Sequence, residues 1–213
     1  MKICQITATF VLLITLLVGC DNAANNTVDN TNNQPAPLLP IENVLREALG
    51  KPPEAELTKK DLARVTHLKI SRPLGTSGIS GLSRLEDCVN LQILDLSGVG
   101  ISDLWTLSKL KSLQELYLQD NPISAVYDLS GLTKLRRLNL ASNRICDIFP
   151  LQWLVQLQYL NLAQNKITDI EPLVNSVGLS QGDTVILEDN PLSQVSVEQY
   201  IPALEDRGII VKR

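Results

Sequence analysis

The stretch of sequence that decides the fold is 91-LQILDLSGVGISDLWTLSKL-110. Its apolar positions return 22 residues later in 113–132, again in 135–154, and once more in 157–173. The pattern then fails at Ser176. Self-similarity at a fixed period of this length is the sequence signature of a solenoid, in which each unit buries its apolar face against its neighbours.

Each repeat contains two kinds of hydrophobic spacing. The Leu-x-Leu alternation, as in Leu94 and Leu96, is typical of a short strand with one buried face. The spacing of three that follows, as in Ile101, Leu104 and Leu107, fits 3₁₀ or irregular helical turns. The sequence therefore predicts a stack of parallel strands on one side and irregular turns on the other.

A polar residue recurs at the corner where each strand ends. An Asn between apolar columns is expected to be buried, and its amide group has donors and an acceptor for backbone groups left free at the turn. Stacked repeats would then form an Asn ladder. Its members are Asn121, Asn143, Asn165 and Asn190, whereas Val99 occupies the corner of the first regular repeat.

This pattern resembles the 22-residue leucine-rich repeats of internalin-like bacterial surface proteins, and the resemblance covers residues 41–213. It implies an α/β solenoid: a right-handed leucine-rich-repeat superhelix with a parallel concave sheet and a 3₁₀ or irregular convex side. Helical caps are expected at both ends. At the N-terminal end, two short helices are predicted, the second opened by a Thr58–Asp61 capping pair.

Both ends of the repeat array depart from the period of 22. Four extra residues lie in the first, imperfect repeat, within Arg72–Gly78. After the fourth regular repeat, the strand and corner return 25 residues later. A C-terminal helix is then predicted from Ser196 to Arg207, closed by Gly208 and followed by a last strand.

The first nineteen residues read as a signal peptide, since Ile6–Val18 is apolar but too short for a membrane-spanning helix. Leu17-Val18-Gly19-Cys20 resembles the lipobox of bacterial lipoproteins, which implies lipidation of Cys20 and cleavage before it. The alternative is an ordinary secretory signal with a chance Cys. Residues 20–40, rich in Asn, Thr and Pro, are predicted to form a disordered tether ahead of the repeat domain, 41–213.

Two cysteines remain after the lipidated one. Cys88 falls in the buried Leu110 column, whereas Cys146 lies more than two repeats away at another point of the turn. A disulfide requires Cα atoms within about 7 Å. The register therefore predicts two unpaired thiols.

No constellation of catalytic residues emerges from the sequence, so we do not expect an enzyme. The single His67 has no Ser or Cys nucleophile motif with it, and an exposed or cap-packing imidazole is the simpler interpretation. No cofactor, no metal site and, with a formal net charge of −4 and no basic face, no nucleic-acid partner is expected.

The side chains that alternate with buried Leu on each strand form the candidate ligand-binding surface, because solenoids of this type bind on the concave face. Tyr117, Arg137 and Tyr159 lie near its middle and belong to residue types enriched at binding hot spots. An ordinary polar sheet surface is the competing interpretation. The candidate residues are Glu115, Tyr117, Arg137, Asn139, Tyr159 and Asn161.

A second candidate is a column of aromatic residues on the outer turns, Trp105, Tyr127 and Phe149, spaced by 22 and ended by Glu171. The three rings, with Trp153 beside them, either pack over the turns or form an apolar stripe for a partner. The sequence leaves both alternatives open.

Together these features predict a lipid-anchored module of the bacterial cell envelope, facing outside the cytoplasm. It would bind another protein or a surface glycan through its concave face, be monomeric, and contact the membrane only through its lipid. The alternative is a structural envelope spacer or assembly component without a dedicated ligand.

Overall fold

The computed structural model describes residues 39–70 and 78–213. Within them, seven short strands form an all-parallel sheet in which the strands lie side by side in chain order. Each strand is three residues long with a buried or half-buried apolar residue at its centre, such as Leu94 or Leu116, and the second Leu of the Leu-x-Leu step follows directly after the strand. Their bounds are β2 His67–Lys69, β4 Ile93–Asp95, β5 Glu115–Tyr117, β6 Arg137–Asn139, β7 Tyr159–Asn161, β8 Thr184–Ile186 and β9 Ile210–Lys212.

The outer side consists of short helical turns, as the spacing of three predicts. Four of them are 3₁₀ helices, and the fourth regular repeat ends in a single α-helical turn, α3. The outer bounds are Leu82–Asp87, Trp105–Lys109, Tyr127–Leu129, Phe149–Trp153 and α3 Glu171–Val174. The predicted solenoid, a parallel sheet on one face and 3₁₀ turns on the other, is thereby confirmed.

The core lies between the sheet and the outer turns and consists almost entirely of Leu, Ile and Val. The columns predicted from the repeat are buried along its length; Leu116, Leu138 and Leu160 are each 0% exposed. Cys88 lies in this core, as the register predicts, and Ser176, where the Leu column fails, is also buried.

The corner Asn residues connect consecutive repeats through the backbone. In Asn143, Oδ1 accepts a hydrogen bond from the Ile123 N–H (3.1 Å), and Nδ2 donates to the Leu118 and Leu140 carbonyls (3.0 Å each). Asn121, Asn165 and Asn190 make equivalent bonds, although Asn190 at the C-terminal end is only half-buried.

Val99 takes the place of an Asn at the first corner. Each of the other corner Asn residues bonds backbone groups of the preceding repeat, so the corresponding partners of position 99 belong to the segment after β2. Residues 71–77 lie outside the described part of the chain.

The N-terminal end of the core is covered by α1 Ile41–Ala48 and α2 Lys59–Leu62. The predicted Thr58–Asp61 pair forms a reciprocal capping box at the start of α2. A two-residue strand β1, Leu39–Pro40, pairs with β3, Ile79–Ser80.

The C-terminal end is covered by a π-helical turn, Ser196–Tyr200, which continues into α4, Ile201–Asp206. The sequence predicted one regular helix here, but Pro202 has no N–H to donate and its ring crowds the carbonyl four residues earlier, so the chain widens before it. Arg207 then donates to the carbonyls of Val174, Ser176 and Leu179 at 2.6–2.8 Å, which fixes the cap to the last regular repeat.

Among the described residues, no helix is both long enough and apolar enough to cross a membrane.

Candidate functional site

The exposed face of the seven-stranded sheet, hereafter the concave face, carries two aligned rows of side chains. The parallel register places equivalent residues of successive repeats directly beside one another. One row contains His67, Ile93, Glu115, Arg137, Tyr159, Thr184 and Ile210. The other contains Lys69, Asp95, Tyr117, Asn139, Asn161, Ile186 and Lys212.

Four of the six concave candidates form a central cluster, Glu115, Tyr117, Arg137 and Tyr159. The Tyr117 hydroxyl donates to Glu115 Oε2 at 2.6 Å. The Arg137 guanidinium lies over the Tyr159 ring, with Cζ 4.5 Å from the ring centroid. Because Arg137 is also the register neighbour of Glu115, these side chains form one connected patch across β5, β6 and β7.

The environment of Tyr117 favours its neutral hydroxyl. Partial burial raises the pKa of this phenol, and the hydrogen bond to Glu115 raises it further, against a smaller opposing effect of Arg137. Tyr117 therefore keeps its proton at neutral pH and remains a hydrogen-bond donor. Arg137 is exposed to solvent.

The other two candidates, Asn139 and Asn161, have a structural bond as well. The Asn139 Oδ1 accepts from the Ala141 N–H at 3.1 Å, and the Asn161 Oδ1 accepts from the Ala163 N–H at 3.0 Å. Each carbonyl oxygen thus closes the turn that follows its strand.

Sequence reasoning did not identify a charged pair at the N-terminal part of the concave face. Lys69 Nζ lies 2.9 Å from Asp95 Oδ2, and Ser97 donates to Asp95 through both its backbone N–H and its hydroxyl. Although burial acts to raise the pKa of Asp95, the bonds from Ser97 and Lys69 outweigh it and lower the pKa. The sequence could have revealed this pair, because Lys69 and Asp95 occupy the same register position on adjacent strands.

The aromatic column lies on the opposite, convex side and is solvent-exposed. Trp105 is 57% exposed, Tyr127 62% and Phe149 52%, with Trp153 at 55%. Polar neighbours contact two of the rings: Lys109 Nζ is 4.2 Å from the Trp105 centroid, and the Tyr127 hydroxyl donates to Asp147 Oδ2 at 2.9 Å. More than half of each aromatic side chain therefore remains available to a partner.

The remaining candidates form no reactive site in the described chain. His67 is exposed, with its Nδ1 2.9 Å from the Thr66 hydroxyl. Cys88 is buried, Cys146 is exposed, and both are free thiols. No cluster of His, Cys, Asp and Glu suited to a metal ion occurs among the described residues. Cys20 lies outside them.

Family comparisons identify the repeats. Residues 111–153 match the model for leucine-rich repeats in two copies, and residues 156–176 match a single leucine-rich repeat. Curated protein sequences gave no match. Leucine-rich-repeat proteins generally mediate protein–protein binding and are typically scaffolds rather than enzymes.

Solved structures place the solenoid among known leucine-rich-repeat folds. An internalin (inlF) from Listeria monocytogenes superposes with a TM-score of 0.63 at 23% identity, over 81% of this chain and 54% of that one. A leucine-rich-repeat protein of Leptospira interrogans gives a TM-score of 0.52 at 19% identity, over 74% and 51%.

A third similar structure is a plant receptor-kinase ectodomain from Arabidopsis thaliana, solved in complex with CASPARIAN STRIP INTEGRITY FACTOR 2. Its TM-score is 0.53 at 21% identity, over 71% of this chain and 18% of that one. The chain thus contains leucine-rich repeats in residues 111–153 and 156–176, and its solenoid fold is similar to that of an internalin. It spans about half the length of the internalin and Leptospira structures.

Proposed function

We propose that this protein is a membrane-anchored, extracytoplasmic binding module whose concave face takes up another protein or a surface glycan. The observation that carries the proposal is the central cluster of Glu115, Tyr117, Arg137 and Tyr159 on three adjacent strands. Its functional groups are exposed or half-buried, and none of them contributes to the core.

The cluster has the chemistry of a binding hot spot. Tyr side chains supply a large contact area with few rotatable bonds, and Arg supplies several directed donors. The bond to Glu115 and the stacking of Arg137 on Tyr159 hold these groups in place before a partner arrives. Pre-ordering of this kind lowers the entropy cost of association.

The test compares two triple variants in capture experiments with cell-envelope extract. Replacing Tyr117, Arg137 and Tyr159 by Ala removes the concave cluster, whereas replacing Trp105, Tyr127 and Phe149 by Ala provides a matched control with three large exposed side chains lost. Two or more hot-spot truncations weaken binding by several kcal/mol in total. We expect saturable capture of one partner by the wild type and the control, and its loss with the concave variant.

Two results contradict the concave site. If the concave variant captures the partner as well as the wild type does, the concave face is not the binding surface. If no saturable partner is captured by any form of the chain, the alternative of a structural spacer is favoured. Since the substituted concave side chains lie outside the core, urea unfolding of that variant should remain close to that of the wild type.

The membrane anchor is proposed from the motif Leu17–Cys20. Two or more acyl chains give stable anchoring, which a single chain does not. Cys20→Ser should release the protein from the membrane fraction, and mass spectrometry of the wild type should show a diacylglyceryl-modified Cys at the mature N-terminus. An unmodified mature N-terminus in the wild type would exclude the anchor.

A further inference from the structure

The exposed apolar side chains of the described chain are concentrated on its convex side. Ten large hydrophobic residues are substantially exposed, and seven of them lie on the outer turns or directly after them. Six of these seven belong to repeats that follow one another and are here called the convex apolar surface: Trp105, Tyr127, Phe149, Trp153, Val155 and Val177. A contiguous exposed apolar patch indicates an interaction surface.

The polar groups beside this surface are arranged by charge. Lys109, Lys111 and Lys134 are exposed near the C-terminal ends of the outer turns, and Lys109 covers the Trp105 ring. At the N-terminal ends of the turns, Asp103, Asp147 and Asp169 accept the backbone N–H groups of Trp105, Phe149 and Glu171. Asp128 and the exposed Glu171 lie on the turns themselves, so the surface has a basic edge but also carries carboxylates.

Aromatic rings bordered by lysines are the chemistry of a membrane–water interface. Trp and Tyr are enriched at that interface because their rings are apolar and their N–H and O–H groups remain hydrated. Lys places its aliphatic stem along apolar surface while its ammonium reaches lipid phosphates.

A stable protein–protein interface buries about 800 Å² of polar and apolar surface from each partner, whereas shallow contact with a bilayer has no such minimum, because a tether adds to the affinity of a weak contact.

We infer that the convex apolar surface rests on the headgroup region of a lipid bilayer. The inference rests on the proposed membrane location, since the predicted tether before β1, as a random coil of about 18 residues, would span roughly 20–25 Å and keep the domain near the bilayer. It revises the expectation that the lipid is the sole membrane contact. When the convex side contacts the membrane, the concave face points away from it and stays accessible to a partner.

The test uses residues 20–213 with Cys20→Ser, which removes lipidation but none of the described core, since its residues lie between Ile41 and Ile209. The probes are vesicles of phosphatidylethanolamine with phosphatidylglycerol, and vesicles of phosphatidylcholine alone. Both tryptophans of the chain, Trp105 and Trp153, belong to the convex apolar surface, so Trp fluorescence reports on it directly. We expect a blue shift and quenching by brominated lipid with both kinds of vesicle.

The decisive variant is Tyr127→Ser with Phe149→Ser, which keeps both tryptophans as reporters. It should lower the vesicle partition coefficient at least tenfold, whereas Tyr117→Ser with Tyr159→Ser, which removes two aromatic rings from the concave face, should leave it unchanged. Circular dichroism checks that both variants remain folded.

Three results would overturn the inference. They are the absence of a blue shift with either kind of vesicle, equal partition of the Tyr127/Phe149 variant and the wild type, and a dimer in sedimentation whose tryptophans are already shielded without lipid. None of these depends on acylation of Cys20 or on a concave ligand. Failure here is therefore distinguishable from failure of the proposed function.

Discussion

Replacing one corner Asn tests whether the ladder holds the repeats together. Asn143 is 8% exposed and lies in the middle of the array. Asn143→Ala removes four hydrogen bonds to the backbone, one accepted from the Ile123 N–H and three donated to carbonyls. The backbone groups that lose these bonds differ in whether they keep another hydrogen-bond partner.

The three carbonyls each retain another donor after the substitution. These donors are Asn121 for Leu118, Asn165 for Leu140 and the Asp120 N–H for Ala141. The Ile123 N–H, by contrast, has no other acceptor within the described chain. One buried and unsatisfied N–H costs about 1–3 kcal/mol, so the free energy of unfolding should fall by about that amount.

The assay is urea unfolding followed by circular dichroism, with Asn139→Ala as the matched control. Asn139 is an Asn of the neighbouring β6 strand, half-buried, whose amide accepts one backbone bond at 3.1 Å. We expect its loss to cost less than about 1 kcal/mol. Asn143→Leu should be no more stable than Asn143→Ala, because the Ile123 N–H stays unpaired. An unchanged midpoint for Asn143→Ala, or one equal to that of Asn139→Ala, would refute the role of the ladder.

Three further variants test the backbone and the core. Gln164 has φ +56°, a region that Gly adopts without strain, so Gln164→Gly should raise the free energy of unfolding by about 0.5–1 kcal/mol in urea; a decrease would contradict this. In Gly178→Ala the new Cβ would lie 2.3 Å from the Leu154 carbonyl oxygen, and the same assay should show a loss of about 1–3 kcal/mol. Burial raises the pKa of the Cys88 thiol from 9.0 to about 11. As the pH rises, the unfolded chain therefore loses this proton before the folded chain does. The free energy of unfolding of the wild type should decline between pH 9 and 11 more steeply than that of Cys88→Ala. Parallel pH profiles of the two proteins would contradict this.

The repeat could be predicted from sequence because it is redundant. The same position is Leu in successive repeats, as at Leu94, Leu116 and Leu138. An irregularity in one repeat therefore does not change the alignment of the other repeats. The corner Asn residues were found in the same way, since only a buried and bonded amide fits between two apolar columns. The Thr58–Asp61 capping box is a local signal and needed no tertiary information.

The site was less predictable because it depends on contacts between side chains of different strands. The repeat register predicted that Arg137 and Tyr159 lie on the concave face. It could not show that the Arg137 guanidinium lies over the Tyr159 ring. It also gave no sign that Asn139 and Asn161 close the turns after their strands. For the aromatic column, the period of 22 fixed the alignment, whereas the exposure of Trp105 and its neighbours required the packing of the outer turns.

The most direct test of the concave site is photocross-linking from a single position in cells. A photoreactive phenylalanine analogue at Tyr117, in the centre of the concave face, is compared with the same analogue at Gln152 on the convex 3₁₀ turn Phe149–Trp153. We expect one discrete protein or glycan adduct from position 117, absent from position 152 and lost when Arg137 and Tyr159 are replaced by Ala. An adduct formed equally from position 152, or one that survives those two substitutions, would contradict it.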